Sequence, residues 1–175
     1  MANFPAVRSW RAALTAPSPA LINRVARMRN QSPSEAGSAI RWYATLVERA
    51  RSVYGHNDDV PMFIVRAPGR VNLLGMHIDH RGGRVNPIAV RELVLVCVPR
   101  SDNRIRIANM NPSFPADEFA VRELLPENKI TDWADWTLTT PETLRKKGLL
   151  GHWSSYVRSA AAYFANSWGM RDSIR

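Results

Sequence analysis

Between Arg66 and Pro87 the chain reads RAPGRVNLLGMHIDHRGGRVNP, and this stretch gathers His77, Asp79, His80 and the pair Gly82–Gly83 into a few positions. In an extended segment Asp79 projects to the same side as His77, two residues away, while His80 points to the other. Imidazole and carboxylate at that spacing suit a metal such as zinc, and glycine beside proline at Pro68–Gly69 suits a turn. A metal site, a simple turn and a catalytic loop are all open on these residues alone.

Whatever the chemistry, neighbouring elements must hold it. FIV ahead of the stretch and LVLVCV at 93–98 read as buried strands, so the polar residues sit where a scaffold fixes them. Glu35 to Tyr54 places Ile40, Tyr43, Ala44, Leu46, Val47 and Ala50 near helical spacing, with Ser34 as N-cap and Gly55 just past the end. Asp102 and Asn103 make a turn signal joining LVLVCV to RIRI as a hairpin, with Arg104 and Arg106 toward solvent and the isoleucines toward the core. From Asn111 to Thr143 four prolines interrupt any period, which predicts a loop. His152 to Trp168 predicts a helix whose apolar face carries Trp153, Tyr156, Val157, Ala160, Ala161 and Phe164, ended by Gly169. Met1 to Ser34 reads as a loose tail with one marginal helix at LINRVARMRN.

Length and composition bound the rest. A chain of 175 residues, 45% hydrophobic, can bury a core and is not intrinsically disordered. Its 24 basic and 15 acidic residues give +9, nearly all from arginine. The arginines are scattered rather than clustered, which argues against a nucleic-acid surface and fits an anionic small ligand. The single cysteine, Cys97, lies inside an apolar run and cannot form an internal disulfide, so a reducing, cytoplasmic setting is expected. No signal peptide and no segment long enough to span a membrane are read.

Two family resemblances compete for the central stretch. H-x-D-H is similar to part of the H-x-H-x-D-H pattern of metallo-β-lactamase-like hydrolases, but Gly75 stands where the first histidine should be, so no metal ligand set is expected. The longer run APGRVNLLGMHIDHRGGRVNPIAV resembles the sugar-recognition signature of galactokinases, in the GHMP family of small-molecule kinases, which reads close to APGRVNLIGEHTDYNGG. The matching residues are Ala67, Pro68, Gly69, Arg70, Val71, Asn72, Leu73, Gly75, His77, Asp79, Gly82, Gly83 and Pro87. W-x-x-Y-V-R at Trp153 to Arg158 is also close to a galactokinase segment, so the resemblance runs from about Glu35 onward.

That resemblance implies an α+β fold, the N-terminal part of a two-lobed GHMP kinase with a mixed sheet packed by helices. It implies a tail over 1–34 and a partial sugar-binding domain over 35–175. The sugar site would lie at Leu74 to Gly83, with Arg70, Met76, His77, Asp79, Gly82 and Gly83 at the substrate and Arg70 also catalytic, stabilising phosphoryl charge. ATP and Mg2+ are the implied cofactors, and a sugar and ATP the partners, with no nucleic acid or membrane. Met76 replaces the signature glutamate, and a thioether is a poor acceptor for a sugar hydroxyl, so the sugar need not be galactose. His80 replaces the signature tyrosine. The family's glycine–serine phosphate loop and catalytic aspartate are not found before Arg175, and WSSYVRSAAA is a poor imitation of the former, so a kinase fragment that is inactive alone is expected. A non-catalytic sugar sensor on the same scaffold, or less fittingly a metal-dependent hydrolase, is the alternative.

Overall fold

The computed structural model describes residues 4–75, 78 and 81–169. The chain is α+β and divides into two units, 1–99 and 100–175.

In the first unit, helix α1 (Val7–Thr15), helix α2 (Pro19–Arg29) and helix α3 (Ala36–Val53) precede two long strands, β1 (Phe63–Leu74) and β2 (Asn86–Cys97). The N-terminal stretch expected as a loose tail therefore folds: α1 and α2 both pack on α3. Ser18 begins α2 by accepting the Leu21 N–H at 3.2 Å, Pro19 follows at a position that needs no N–H, and Asn30 closes the helix in the left-handed region. Helix α1 buries Val7 and Leu14, and α2 buries Val25 and Ala26. Trp10 Nε1 donates to the Met62 carbonyl at 2.9 Å, and Phe4 stacks on Phe63 at 4.6 Å, tying the N-terminus to the start of β1. The spacing in α3 behaves as read, burying Ile40, Tyr43, Leu46 and Val47. Its cap differs: Ser34 makes no cap, and the Glu35 carboxylate instead accepts the Ser32 N–H at 2.8 Å.

β1 and β2 form an antiparallel ribbon with register Phe63↔Cys97 through Leu74↔Asn86. Pro68–Gly69 is no turn: it lies inside β1 at a register shift, opposite Glu92 and Val90, where the extra residue Arg91 bulges from the partner strand. Alternation gives the ribbon two unlike faces. One carries Arg66, Arg70 and Asn72 with Glu92 and Val94. The other carries Val65, Ala67 and Val71 with Ile88, Val90, Leu93 and Leu95, all of them exposed. The apolar runs read as buried strands are thus only half-covered. Cys97, near the end of β2, is a free, half-buried thiol that burial pushes up from its ordinary pKa.

The first face is joined to the helices by a largely covered carboxylate. Glu92, its side chain 11% exposed, is ion-paired with both Arg29 from α2 and Arg66 from β1. Tyr43 of α3 donates its hydroxyl to Glu92 at 3.4 Å, and Arg66 Nη1 donates to the Met28 carbonyl at 2.8 Å.

In the second unit, β3 (Arg104–Ile107) pairs antiparallel with β4 (Asp117–Ala120), followed by a 3-10 turn at Val121–Leu124, helix α4 (Trp133–Lys146) and helix α5 (Ser155–Trp168). The turn at Asp102–Asn103 does not make a hairpin, because β3 pairs with β4 and β2 with β1; both ladders are antiparallel, where a mixed sheet was expected. Arg104 and Arg106 are exposed as read, both held by Glu118 at 2.6 Å. The stretch 111–143 is not all loop: α4 forms with Pro141 inside it and Asp132 as N-cap, accepting the Asp135 N–H at 3.0 Å. It buries no residue of its own, consistent with the weak period of its sequence.

Helix α5 ends at Gly169 as its left-handed φ of 68° allows, but its buried face is not the aromatic one. Ala161, Ala162, Ala165 and Asn166 face inward, while Tyr156 is 86% exposed and Ala160 and Phe164 are also exposed. Small residues bring the helix close to Phe119, Val121 and Ile130 in the core. Asn166 closes the join by exchanging two 2.9 Å hydrogen bonds with the Ile130 backbone.

Arg158 anchors the same helix to β4. Its guanidinium donates to Asp117 at 2.6 Å and lies 4.2 Å from the centre of the Phe119 ring. Burial alone would raise the Asp117 carboxyl, but the Ser154 hydroxyl and Arg158 outweigh it and hold it below its ordinary value. A depressed carboxyl contributes stability that is present above its unfolded pKa and lost as pH falls through the folded one. Asp117→Asn is therefore expected to lower the unfolding midpoint at pH 7, with the gap to wild type closing below about pH 4. A gap that stays constant from pH 7 to pH 2 would contradict this linkage.

Candidate functional site

The connection between β1 and β2 is held by glycines, for reasons the backbone makes plain. Gly75 has φ of +85°, and a Cβ there would sit 2.6 Å from the Arg84 carbonyl oxygen and 3.0 Å from Val85 Cα. Gly83 leaves no room either: a Cβ would meet the side chain and carbonyl of Ile78 at 2.9 Å. Gly82 has φ of +78° but open space around it, so only its backbone conformation demands glycine. The Ile78 carbonyl accepts the N–H groups of Arg81 at 3.1 Å and Gly83 at 2.9 Å, and Ile78 N–H donates to Gly75 at 3.4 Å. These bonds turn the chain tightly back toward β2.

Of the residues expected at the site, Arg70, Gly82 and Gly83 are described; Met76, His77 and Asp79, with His80, lie outside the described residues. Arg70 sits on β1 opposite Ala89, exposed and without an ion pair among the described residues, in contrast to Arg66 four positions earlier. A free, planar guanidinium with five donors suits anionic oxygens. Asn72, opposite Pro87, shares its face and lies between Arg70 and the connection. Four residues of strand, roughly 13 Å, separate Arg70 from Leu74, so the cation and the glycine-held connection are at different levels of one ribbon.

Asn72 carries a feature that the sequence did not reveal. It falls within the signature-like run, yet residue type alone gave it no role. Its carboxamide oxygen is buried and has no hydrogen-bond partner among the described residues, which only packing exposes.

Among the described residues no group of three or more His, Cys, Asp or Glu side chains is placed to hold a metal ion. No helix among them is long and apolar enough to cross a membrane. Ser154, in the segment that imitates a phosphate loop, is fully buried and bonded to His152 Nδ1 at 2.7 Å and to Arg158 Nε at 3.2 Å. Its hydroxyl is committed to the start of α5.

No solved structure matches the chain. A family model does: residues 51–100 match the galactokinase galactose-binding signature. The matched range runs from the last turn of α3 through β1, the glycine-held connection and β2, so in this segment the chain is similar to galactokinases where they bind sugar.

Proposed function

We propose that this chain carries the sugar-recognition region of an ATP-dependent sugar kinase of the galactokinase type, within the GHMP family, acting in the cytoplasm. The observation that carries the reading is the match over 51–100, centred on the β1–β2 connection where Gly75 and Gly83 tolerate no side chain. In this reading His77 and Asp79 meet sugar hydroxyls, the carboxylate accepting from two of them. Gly82 and Gly83 shape the wall beside them, and Met76 supplies an apolar contact in place of an acceptor. Arg70, free and exposed, faces the phosphate end. ATP supplies the phosphoryl group, which goes to a sugar hydroxyl, the anomeric one, and Mg2+ supplies charge neutralisation.

A second reading, a sugar sensor without turnover, draws on one specific observation. Ser154 is buried and fully engaged, so WSSYVRSAAA offers no cradle for phosphates. Both readings require a sugar site, and they part at phosphoryl transfer.

The test is calorimetric titration of the 175-residue chain with D-galactose, D-glucose and D-mannose, alongside sugar-dependent ADP release. Binding of at least one hexose, abolished by Asp79→Ala and changed less than threefold by Arg70→Ala, is expected. The chain by itself is expected to give no sugar-dependent ADP release. No hexose binding would sink the sugar-site reading, and robust turnover by these residues alone would sink the assignment of the phosphate machinery elsewhere.

A further inference from the structure

We infer that Asn72 is a further sugar-positioning residue, its carboxamide oxygen accepting a hydrogen bond from a hydroxyl of the bound sugar; the inference rests on the sugar-site reading above. Polar atoms taken out of water are almost always paired, since an acceptor left without a partner costs what it lost in hydration. Asn72 Oδ1 breaks that rule: it is buried and unpaired. Among the other described residues the rule holds, as at buried Asn166, whose oxygen and nitrogen both bond the Ile130 backbone.

Packing does not call for an amide at this position. Asn72 lies within β1 between Val71 and Leu73, and asparagine is a poor strand residue that a branched apolar side chain would replace with profit to the ribbon. Its place along β1 points to a ligand. It shares a face with Arg70, whose guanidinium has no ion pair among the described residues, and lies one rung from the glycine-held connection. A hydroxyl donor that displaces what covers Oδ1 restores the missing hydrogen bond. The free protein thus holds an acceptor whose stabilisation is deferred until the sugar is bound.

Two substitutions test this in the 175-residue chain. Asn72→Leu, nearly the same shape without polar atoms, is expected to leave the unfolding midpoint unchanged or raised in the absence of sugar, and to weaken binding of the hexose that wild type takes up by about tenfold. A residue with a purely structural role would move stability down and leave affinity alone. Asn72→Ala, which removes the oxygen without new bulk, is expected to lose the same affinity, and it carries the test if the leucine variant does not fold. Affinity unchanged in either folded variant, or a lowered midpoint for folded Asn72→Leu, overturns the role given to Asn72 while leaving the sugar site standing. Failure of wild type to bind galactose, glucose or mannose overturns the sugar site itself, and this inference with it.

Discussion

Glu92→Gln is expected to destabilise the first unit by about 2–3 kcal/mol. The side chain keeps its shape but loses the charge that Arg29 and Arg66 both bind. Two guanidinium groups, each only about a quarter exposed, are then left facing a neutral amide. The cost falls below that of a fully buried pair because water still reaches both arginines. The consequence is architectural, since Glu92 joins α2, α3 and the ribbon at one atom pair. Chemical denaturation of the two variants Glu92→Gln and Glu118→Gln separates this from surface charge. Glu118, which pairs with two exposed arginines on β3, should cost well under 1 kcal/mol. Equal losses for both would show that the Glu92 cluster is no more than a surface ion pair.

The second large effect lies in the glycines of the β1–β2 connection, and it is graded. Gly75→Ala adds a positive-φ penalty of about 1–2 kcal/mol to a collision with backbone that cannot swing away, for a total of about 3 kcal/mol. Gly83→Ala carries the collision without a positive φ, roughly 1–3 kcal/mol, and Gly82→Ala carries the φ without the collision, about 1 kcal/mol. Because Gly75 and Gly83 bracket the expected hydroxyl contacts, sugar affinity should follow the same order as stability, with Gly75→Ala losing both. If Gly82→Ala proved the most damaging to binding, the connection would be positioned by contacts other than those its backbone makes.

The glycine-held connection was legible where residue type and backbone demand coincide. Gly75, Gly82 and Gly83 occur at signature spacing because two need a left-handed conformation and two have no space for Cβ, requirements that residue type encodes directly. The fold was legible where burial follows period, as in α3, and failed where period admits two answers. Large aromatics at Tyr156 and Phe164 look like core on a helical wheel, yet α5 packs through Ala161, Ala162 and Ala165, since small side chains permit the closer approach. Pairing across distance was the other blind spot. Asp102–Asn103 has the composition of a hairpin turn, but the partner of β3 is β4, chosen by Glu118 bridging Arg104 and Arg106 and by buried Phe119 rather than by the turn. Pro141 broke the apparent period of α4 without breaking the helix, because so little of that helix needs to be buried.

The uncovered apolar face of the β1–β2 ribbon has a colloidal meaning. Val65, Val71, Ile88, Val90, Leu93 and Leu95 present an exposed strip on which another molecule's ribbon could settle. What keeps copies apart is the net charge of +9, whose reach in solution is set by ionic strength and shrinks to about 8 Å at physiological salt. Solubility of this chain is therefore a contest between a short-range adhesive strip and a long-range repulsion that salt weakens, and the arginines scattered through its sequence act on the side of dispersal.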